Sequence, residues 1–172
     1  MRHGLCPLGV PRLRGCMSFW EKTLDRSVVF SFDRTGYRRH AKRFRTDSHQ
    51  SNLGGKNILV TGSNSGIGFA ASEQLAARGA TVYLACRSLE RGRAAMASLM
   101  ERVPNARLEL RQVDMADLTS VRALSDTMDV PLHGLIHNAG NMLDACQYTD
   151  EGIEYITSLH VAGPYCLTLG LK

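Results

Sequence analysis

From Lys56 onward, short apolar runs alternate with longer stretches in which apolar residues recur every three or four positions. Asn57-Ile58-Leu59-Val60-Thr61 is a continuous run, which predicts a strand buried on both faces. Ile67 to Arg78 carries helix formers at apolar helical spacing, and Gly79 is its natural stop. Thr81-Val82-Tyr83-Leu84-Ala85-Cys86 predicts a second buried strand. Leu89 to Arg102 predicts a helix with a charged outer face, ended ahead of Pro104. Leu108 to Val113 predicts a third strand, and Thr119 is an N-cap candidate for a helix reaching about Met128. Gly134-Leu135-Ile136-His137 predicts a fourth strand. A polar loop follows, then a helical segment from Gly152 that meets Gly163-Pro164, where a bend is expected.

Strand, helix, strand, helix, strand, helix, strand is the order of an α/β domain with a parallel sheet covered on both faces. The expected fold is a Rossmann-like three-layer αβα arrangement, carried here as far as about four strands. Right-handed crossovers place strands one to three in one mononucleotide-binding unit and strand four on the other side of strand one. Such sheets bind ligands at that switch point, at the carboxyl ends of the strands.

Ahead of Lys56 the pattern is different. Residues 1–16 are irregular. Residues 17–54 read as a helical arm around Phe19, Trp20, Thr23, Leu24, Val28 and Phe32, then a cationic stretch from Tyr37 to Arg45, then a polar linker. The expected organisation is therefore an extension over 1–16, a basic arm over 17–54 and a partial nucleotide-binding domain over 55–172. Charge follows this division: residues 1–60 hold twelve Lys and Arg against four acids, and the remainder nine against twelve. The net charge of +5 thus belongs to the arm and says little about a substrate. Arg34, Arg38, Arg39, Lys42, Arg43 and Arg45, with Tyr37 and Phe44 between them, suit a solvated entry segment first. An anionic lipid surface comes second and nucleic acid a distant third.

Composition narrows the class further. Hydrophobic residues make up 44% of the chain, which excludes wholesale disorder. The five cysteines are odd in number and none has CxxC spacing, so neither a disulfide framework nor a zinc site is expected, and a reducing compartment such as the cytoplasm is favoured. No apolar run approaches the ~18 residues of a membrane span. Arg2, His3, Arg12 and Arg14 without an acid suggest a mitochondrial presequence, but Pro7, Gly9, Pro11 and Gly15 oppose the helix it needs; an extension ahead of Met17 is the other reading.

The chemistry concentrates at strand ends. Thr61-Gly62-Ser63-Asn64-Ser65-Gly66-Ile67-Gly68 follows a strand and opens a helix, with GxxxGxG spacing. Gly62 allows the turn off the strand, Gly66 removes a side chain that would block a pyrophosphate, and Gly68 permits close helix packing. Free N–H groups and the helix dipole then hold the phosphates, with Ser65 as an added hydroxyl donor. Arg87, just past strand two, cannot accept from ribose hydroxyls but pairs with a 2′-phosphate. That favours NADP, with NAD the alternative and a solvated helix-start charge the plainer reading. Asp114, with Met115 beside it, can accept from an adenine amino group or act only as a loop acid. Asn138-Ala139-Gly140 allows close approach to a second ribose, and its amide can brace the sheet. No residues suggest a metal site.

Together these segments resemble the short-chain dehydrogenase/reductase family over about residues 54–172, on Thr61 to Gly68, Asp114 and His137-Asn138-Ala139-Gly140, close to the family's Asn-Asn-Ala-Gly. The resemblance implies that Gly62, Asn64, Ser65 and Ile67 line the coenzyme diphosphate and ribose. Arg87 would meet the 2′-phosphate, Asp114 the adenine, and Asn138 to Gly140 the nicotinamide side. It implies hydride transfer with a carbonyl or alcohol carbon, assisted by a Tyr, a Lys and a Ser. Two departures stand out. None of Tyr37, Tyr83, Tyr148, Tyr155 or Tyr165 has Lys four residues on, so the family's Tyr-x-x-x-Lys does not occur here. The helical Asn of the family's proton relay aligns near His160, which could relay a proton or be a surface histidine. The expectation is a truncated, inactive piece of an oxidoreductase with a small carbonyl or alcohol substrate; a non-catalytic half-domain binding a nucleotide or partner is the alternative.

Overall fold

A computed structural model describes Trp20, Thr23, Leu24, residues 34–41 and residues 51–171. The chain divides into two compact units, Met1–Gln50 and Ser51–Lys172. In the first, Trp20, Thr23 and Leu24 are helical, in keeping with the periodicity read there. The cationic stretch, assigned no element from its sequence, is helical over α1 (Arg34–Ala41). Arg38, Arg39 and His40 occupy its last turn, where the negative end of the helix dipole favours cations. The extension over 1–16, and Lys42, Arg43, Phe44 and Arg45 of the arm, lie outside the described residues. No helix among the described residues is long and apolar enough to cross a membrane.

The second unit runs β1 (Asn57–Thr61), α2 (Gly66–Ala77), β2 (Thr81–Cys86), α3 (Leu89–Arg102), β3 (Arg107–Gln112), α4 (Leu118–Thr127) and β4 (Gly134–Ile136). A final helical stretch has three parts: α5 (Tyr155–Thr157), a π-helical segment (Ser158–Ala162) and α6 (Gly163–Gly170). The sheet is parallel in the order β3-β2-β1-β4. In β1, Leu59 lies between Tyr83 and Leu135, and Val60 between Leu84 and Ile136.

Because strand side chains alternate, β1 and β2 feed two cores. Leu59, Tyr83 and Ala85 pack with Val121 and Leu124 of α4, Leu159, and Leu167 of α6. Ile58, Val60, Val82 and Leu84 pack on the opposite face with Ala76 of α2 and Leu99 of α3. The fold is therefore the expected Rossmann-like three-layer α/β arrangement. Within this unit Leu53 donates its N–H to the Arg78 carbonyl at 2.8 Å and packs against the second core.

Three local details differ from the sequence reading. The cap of α4 is Asp117, not Thr119: its Oδ1 accepts from Thr119 N at 2.8 Å and Ser120 N at 3.2 Å, so the helix starts at buried Leu118. Asp117→Ala is expected to cost about 1 kcal/mol, read as a lower urea midpoint at unchanged slope. The last helix starts at Tyr155 and not at Gly152, which sits in a turn at φ +76° while Glu154 caps the helix. The bend expected at Gly163-Pro164 is a π-helical segment: Gly163 N donates to the Ser158 carbonyl, five residues back. Pro164 has no N–H to give His160, and its ring would crowd that carbonyl in a regular helix.

Candidate functional site

The carboxyl end of β1 is tied to the end of β4 by one hydroxyl and one amide. Thr61 Oγ1 accepts from the N–H groups of Asn138 and Ala139, each at 3.0 Å. Asn138 Nδ2 donates to the carbonyls of Thr61 and Gly62, both at 3.1 Å. The Asn138 donor therefore braces the sheet where the chain turns toward α2. Gly62 leaves the strand at φ +65° and its N–H donates to the Ala85 carbonyl at 2.8 Å. A methyl on Gly68 would run into the Gly62 carbonyl and the Asn138 amide, so only glycine lets α2 approach this closely.

The start of α2 is unlike those of α3 and α4. Ser88 caps α3 by accepting from Arg91 N at 3.3 Å, and Asp117 caps α4. Ser65 at the cap position of α2 makes no side-chain cap bond, and no acid stands in the first turn. Gly66 sits at φ +58° with no heavy atom within 4 Å of where a Cβ would stand. Next to it Ile67 is 82% exposed. The first turn thus offers unpaired N–H groups, a positive dipole end and an apolar side chain to a cleft.

That cleft, about 460 Å³, runs along the carboxyl ends of the strands. Gly62, Asn64, Ser65, Ile67, Arg87, Asp114, Met115, Asn138, Ala139 and Gly140 all line it; Gly66 and Gly68 are not among its lining residues, Gly66 lying between Ser65 and Ile67, which are, and Gly68 packing against Gly62 and Asn138. Arg87 is exposed, with Nη1 donating to the Tyr155 phenol oxygen at 3.3 Å and lying 3.8 Å from Asp114 Oδ2. The other Asp114 oxygen accepts from Ala116 N at 3.0 Å. Met115, 3% exposed and packed with core residues, reaches the cleft as part of its wall. Cys86, also in the wall, has its thiol pKa pushed up by burial, with Arg91 opposing. It is suited to packing and not to nucleophilic attack.

His160 lies against Gly140 and Asn141 at the edge of the cleft and is not among its lining residues. It is exposed on the π-helical segment, with Nε2 3.4 Å from the Asn141 carbonyl, and its neighbour Leu159 lines the cleft instead. His137, at the end of β4, pairs Nε2 with Thr168 Oγ1 at 2.9 Å; burial lowers its pKa. Sequence reasoning missed Tyr155, Asn141 and Leu159, which also line the cleft. No motif marks them; only the position of Tyr155 after the capping acid Glu154 hints at a helix start.

These features fit an anionic dinucleotide on the residues themselves: an open cradle at Gly66, unpaired helix amides, a cation at the end of β2 and a carboxylate at the end of β3. Among the described residues no cluster of His, Cys, Asp and Glu is arranged to hold a metal ion. An open parallel sheet with a glycine turn at its switch point defines a dinucleotide-binding α/β domain. Comparison with known proteins gives the family. The short chain dehydrogenase model matches residues 56–170, and the chain belongs to the short-chain dehydrogenase/reductase family, carrying its NAD(P)-dependent dehydrogenase-like domain.

Dehydrogenase/reductase SDR family member 13 of Homo sapiens is 42% identical over 120 residues, 68% of this chain and 31% of that protein. Retinol dehydrogenase 12 of Bos taurus is 36% identical over 119 residues, 67% of this chain and 38% of its own. Dehydrogenase/reductase SDR family member 12 of Homo sapiens is 32% identical over 157 residues, 87% of this chain and 50% of its own. The chain therefore spans half or less of the length of these curated relatives. Among solved structures, an uncharacterised protein from Mycobacterium paratuberculosis superposes with a TM-score of 0.66 at 32% identity, over 74% of this chain and 45% of that one. A short chain dehydrogenase from Shigella flexneri 2a complexed with NADP gives 0.58 at 26% identity, over 71% and 54%.

Proposed function

We propose that residues 51–171 bind NADP(H) as the coenzyme half of a short-chain dehydrogenase/reductase whose complete form acts on a small carbonyl or alcohol. The observation that carries this reading is the uncapped start of α2, open at Gly66 and facing a cleft that also holds Arg87. The backbone amides from Gly66 to Gly68 hold the diphosphate, with Asn64 and Ser65 adding side-chain donors. Gly62 turns the chain beneath it. Arg87 meets the 2′-phosphate, which favours NADP over NAD. Asp114 accepts from the adenine amino group beside Met115. Ala139 and Gly140 leave room on the nicotinamide side, and Asn138 keeps β1 and β4 in register there. The coenzyme, when bound, supplies or takes the hydride.

Tyr-x-x-x-Lys does not occur in these 172 residues. The chain is therefore expected to bind coenzyme without turning it over. The NADP complex of the Shigella flexneri relative supports the choice of coenzyme class. Titration of the chain with NADPH and NADH, followed by coenzyme fluorescence, tests the reading. In Arg87→Ala the affinity for NADPH is expected to fall about 10-fold or more, from loss of charge-assisted bonds, while NADH binding changes much less. Failure of the unsubstituted, folded chain to bind either coenzyme at millimolar concentration would end it.

A further inference from the structure

Arg87 is not a free cation on the rim. Its Nη1 donates to the Tyr155 phenol oxygen at 3.3 Å, while Asp114 Oδ2, at 3.8 Å, stands just outside hydrogen-bond reach. We propose that Tyr155 is a positioning residue for 2′-phosphate recognition, its phenol oxygen holding the Arg87 guanidinium at the cleft with the remaining donors open to the phosphate. The proposal rests on the NADP(H) reading above and adds the device that makes an exposed arginine selective.

The phenol suits this role for three reasons. First, Tyr155 is itself well anchored. Its N–H donates to the Gln147 carbonyl at 2.8 Å. The Glu154 carboxylate accepts from Ile156 N at 2.9 Å and Thr157 N at 2.7 Å, and these bonds hold its pKa below the usual carboxylate range. An anchored aromatic has few torsions to fix, whereas a loose arginine has several. Tethering Arg87 to Tyr155 removes ordering cost before the coenzyme arrives.

Second, the contact engages one corner of the guanidinium. Arginine carries five N–H donors in a planar fork. Among the described residues, Nη2 and Nε of Arg87 have no protein acceptor, which leaves a bidentate edge for a phosphate.

Third, phenol is a neutral acceptor. A carboxylate in the same place would hold the guanidinium but cancel the charge that the phosphate needs. Tyr155 also lines an adjoining cavity with Asp114, Asp117, Asp150 and Glu151. Of these acids Asp114 is the one at ion-pair distance from Arg87, 3.8 Å from Nη1; without the phenol tether the guanidinium is left to Asp114 alone, which competes with a 2′-phosphate for it.

The test measures the NADPH-to-NADH affinity ratio of the whole chain, with 2′,5′-ADP as a competing probe. Wild type, Tyr155→Phe, Arg87→Ala and the double variant are compared. Tyr155→Phe is expected to lower the ratio about 3- to 10-fold, in the range of one hydrogen bond to a charged group discounted for exposure. It should weaken 2′,5′-ADP in parallel, and the effect should vanish in the Arg87→Ala background. If the phenylalanine variant does not fold by circular dichroism, Tyr155→Leu, which removes ring and oxygen together, is read against its own double variant with Arg87→Ala, and only the part of its effect that depends on Arg87 counts for the tether. An unchanged ratio, an equal loss for both coenzymes, or an effect that persists without Arg87 overturns the proposal, because the ring would then act by packing alone. A wild-type chain that binds both coenzymes with no preference defeats it as well while leaving dinucleotide binding intact. Binding of neither removes the coenzyme reading itself.

Discussion

Gly68→Val is expected to lower the thermal midpoint of the domain by about 10 °C or more, the equivalent of roughly 3 kcal/mol for a domain of this size. Even a methyl at this position would overlap the Gly62 carbonyl and the Asn138 amide. Neither can step aside cheaply. The carbonyl belongs to the turn that ends β1, and the amide is committed to both the Thr61 and Gly62 carbonyls. Relief would require α2 to lift off the sheet, uncovering Val60 and Leu84, which are almost fully buried beneath it. A total stability of about 5–15 kcal/mol makes such a loss a large fraction of the whole. Differential scanning calorimetry checks it, and a near-native midpoint would mean that α2 does not pack on the turn as described.

Gly66→Val separates binding from folding. The position has φ +58° and no heavy atom within 4 Å of an added Cβ, so no packing is disturbed. The strain of a left-handed backbone conformation costs about 1–2 kcal/mol, somewhat more for a β-branched residue. Coenzyme binding should suffer far more. The new side chain would stand at the uncapped start of α2, where the diphosphate is proposed to sit, and would hold it off the amides. Loss of two charge-assisted bonds predicts a fall in NADPH affinity of about 100-fold or more. Calorimetric titration beside a melting curve distinguishes the outcomes. A variant that melts close to wild type yet binds NADPH unchanged would place the diphosphate elsewhere.

Asn138 shows how one residue can be read correctly for structure before its ligand role is tested. Its position after a short apolar run marks the end of a strand. Its amide, foreseen as a brace, is spent on the β1 turn. Asp114 and Arg87 were legible for a similar reason, since each stands directly past a strand and strand ends converge on the switch point. Met115 was legible as a neighbour of the site but not as a core side chain, because alternation past the end of a strand cannot be read from spacing. Asp117 and Thr119 are both good capping residues, so propensity does not separate them. The choice depends on where Leu118 becomes buried, which a propensity does not record.

The order of residues alone determined the alternation of strands and helices, the parallel sheet and the glycine turn. Burial on two faces demands continuous apolar runs, and a turn with positive φ demands glycine. These requirements are local and leave their mark in adjacent residues. Only the folded chain decided that Tyr155, far along the sequence from Arg87, comes within hydrogen-bond distance of it, and that His160 rests against Gly140 and Asn141 while Leu159 lines the cleft. Both outcomes depend on how the last helix sits on the sheet: Gly163 is pressed against the Met115 carbonyl, and the π turn ahead of Pro164 changes which side chains face inward. That fit is set by packing between distant segments, which no spacing rule within either segment contains.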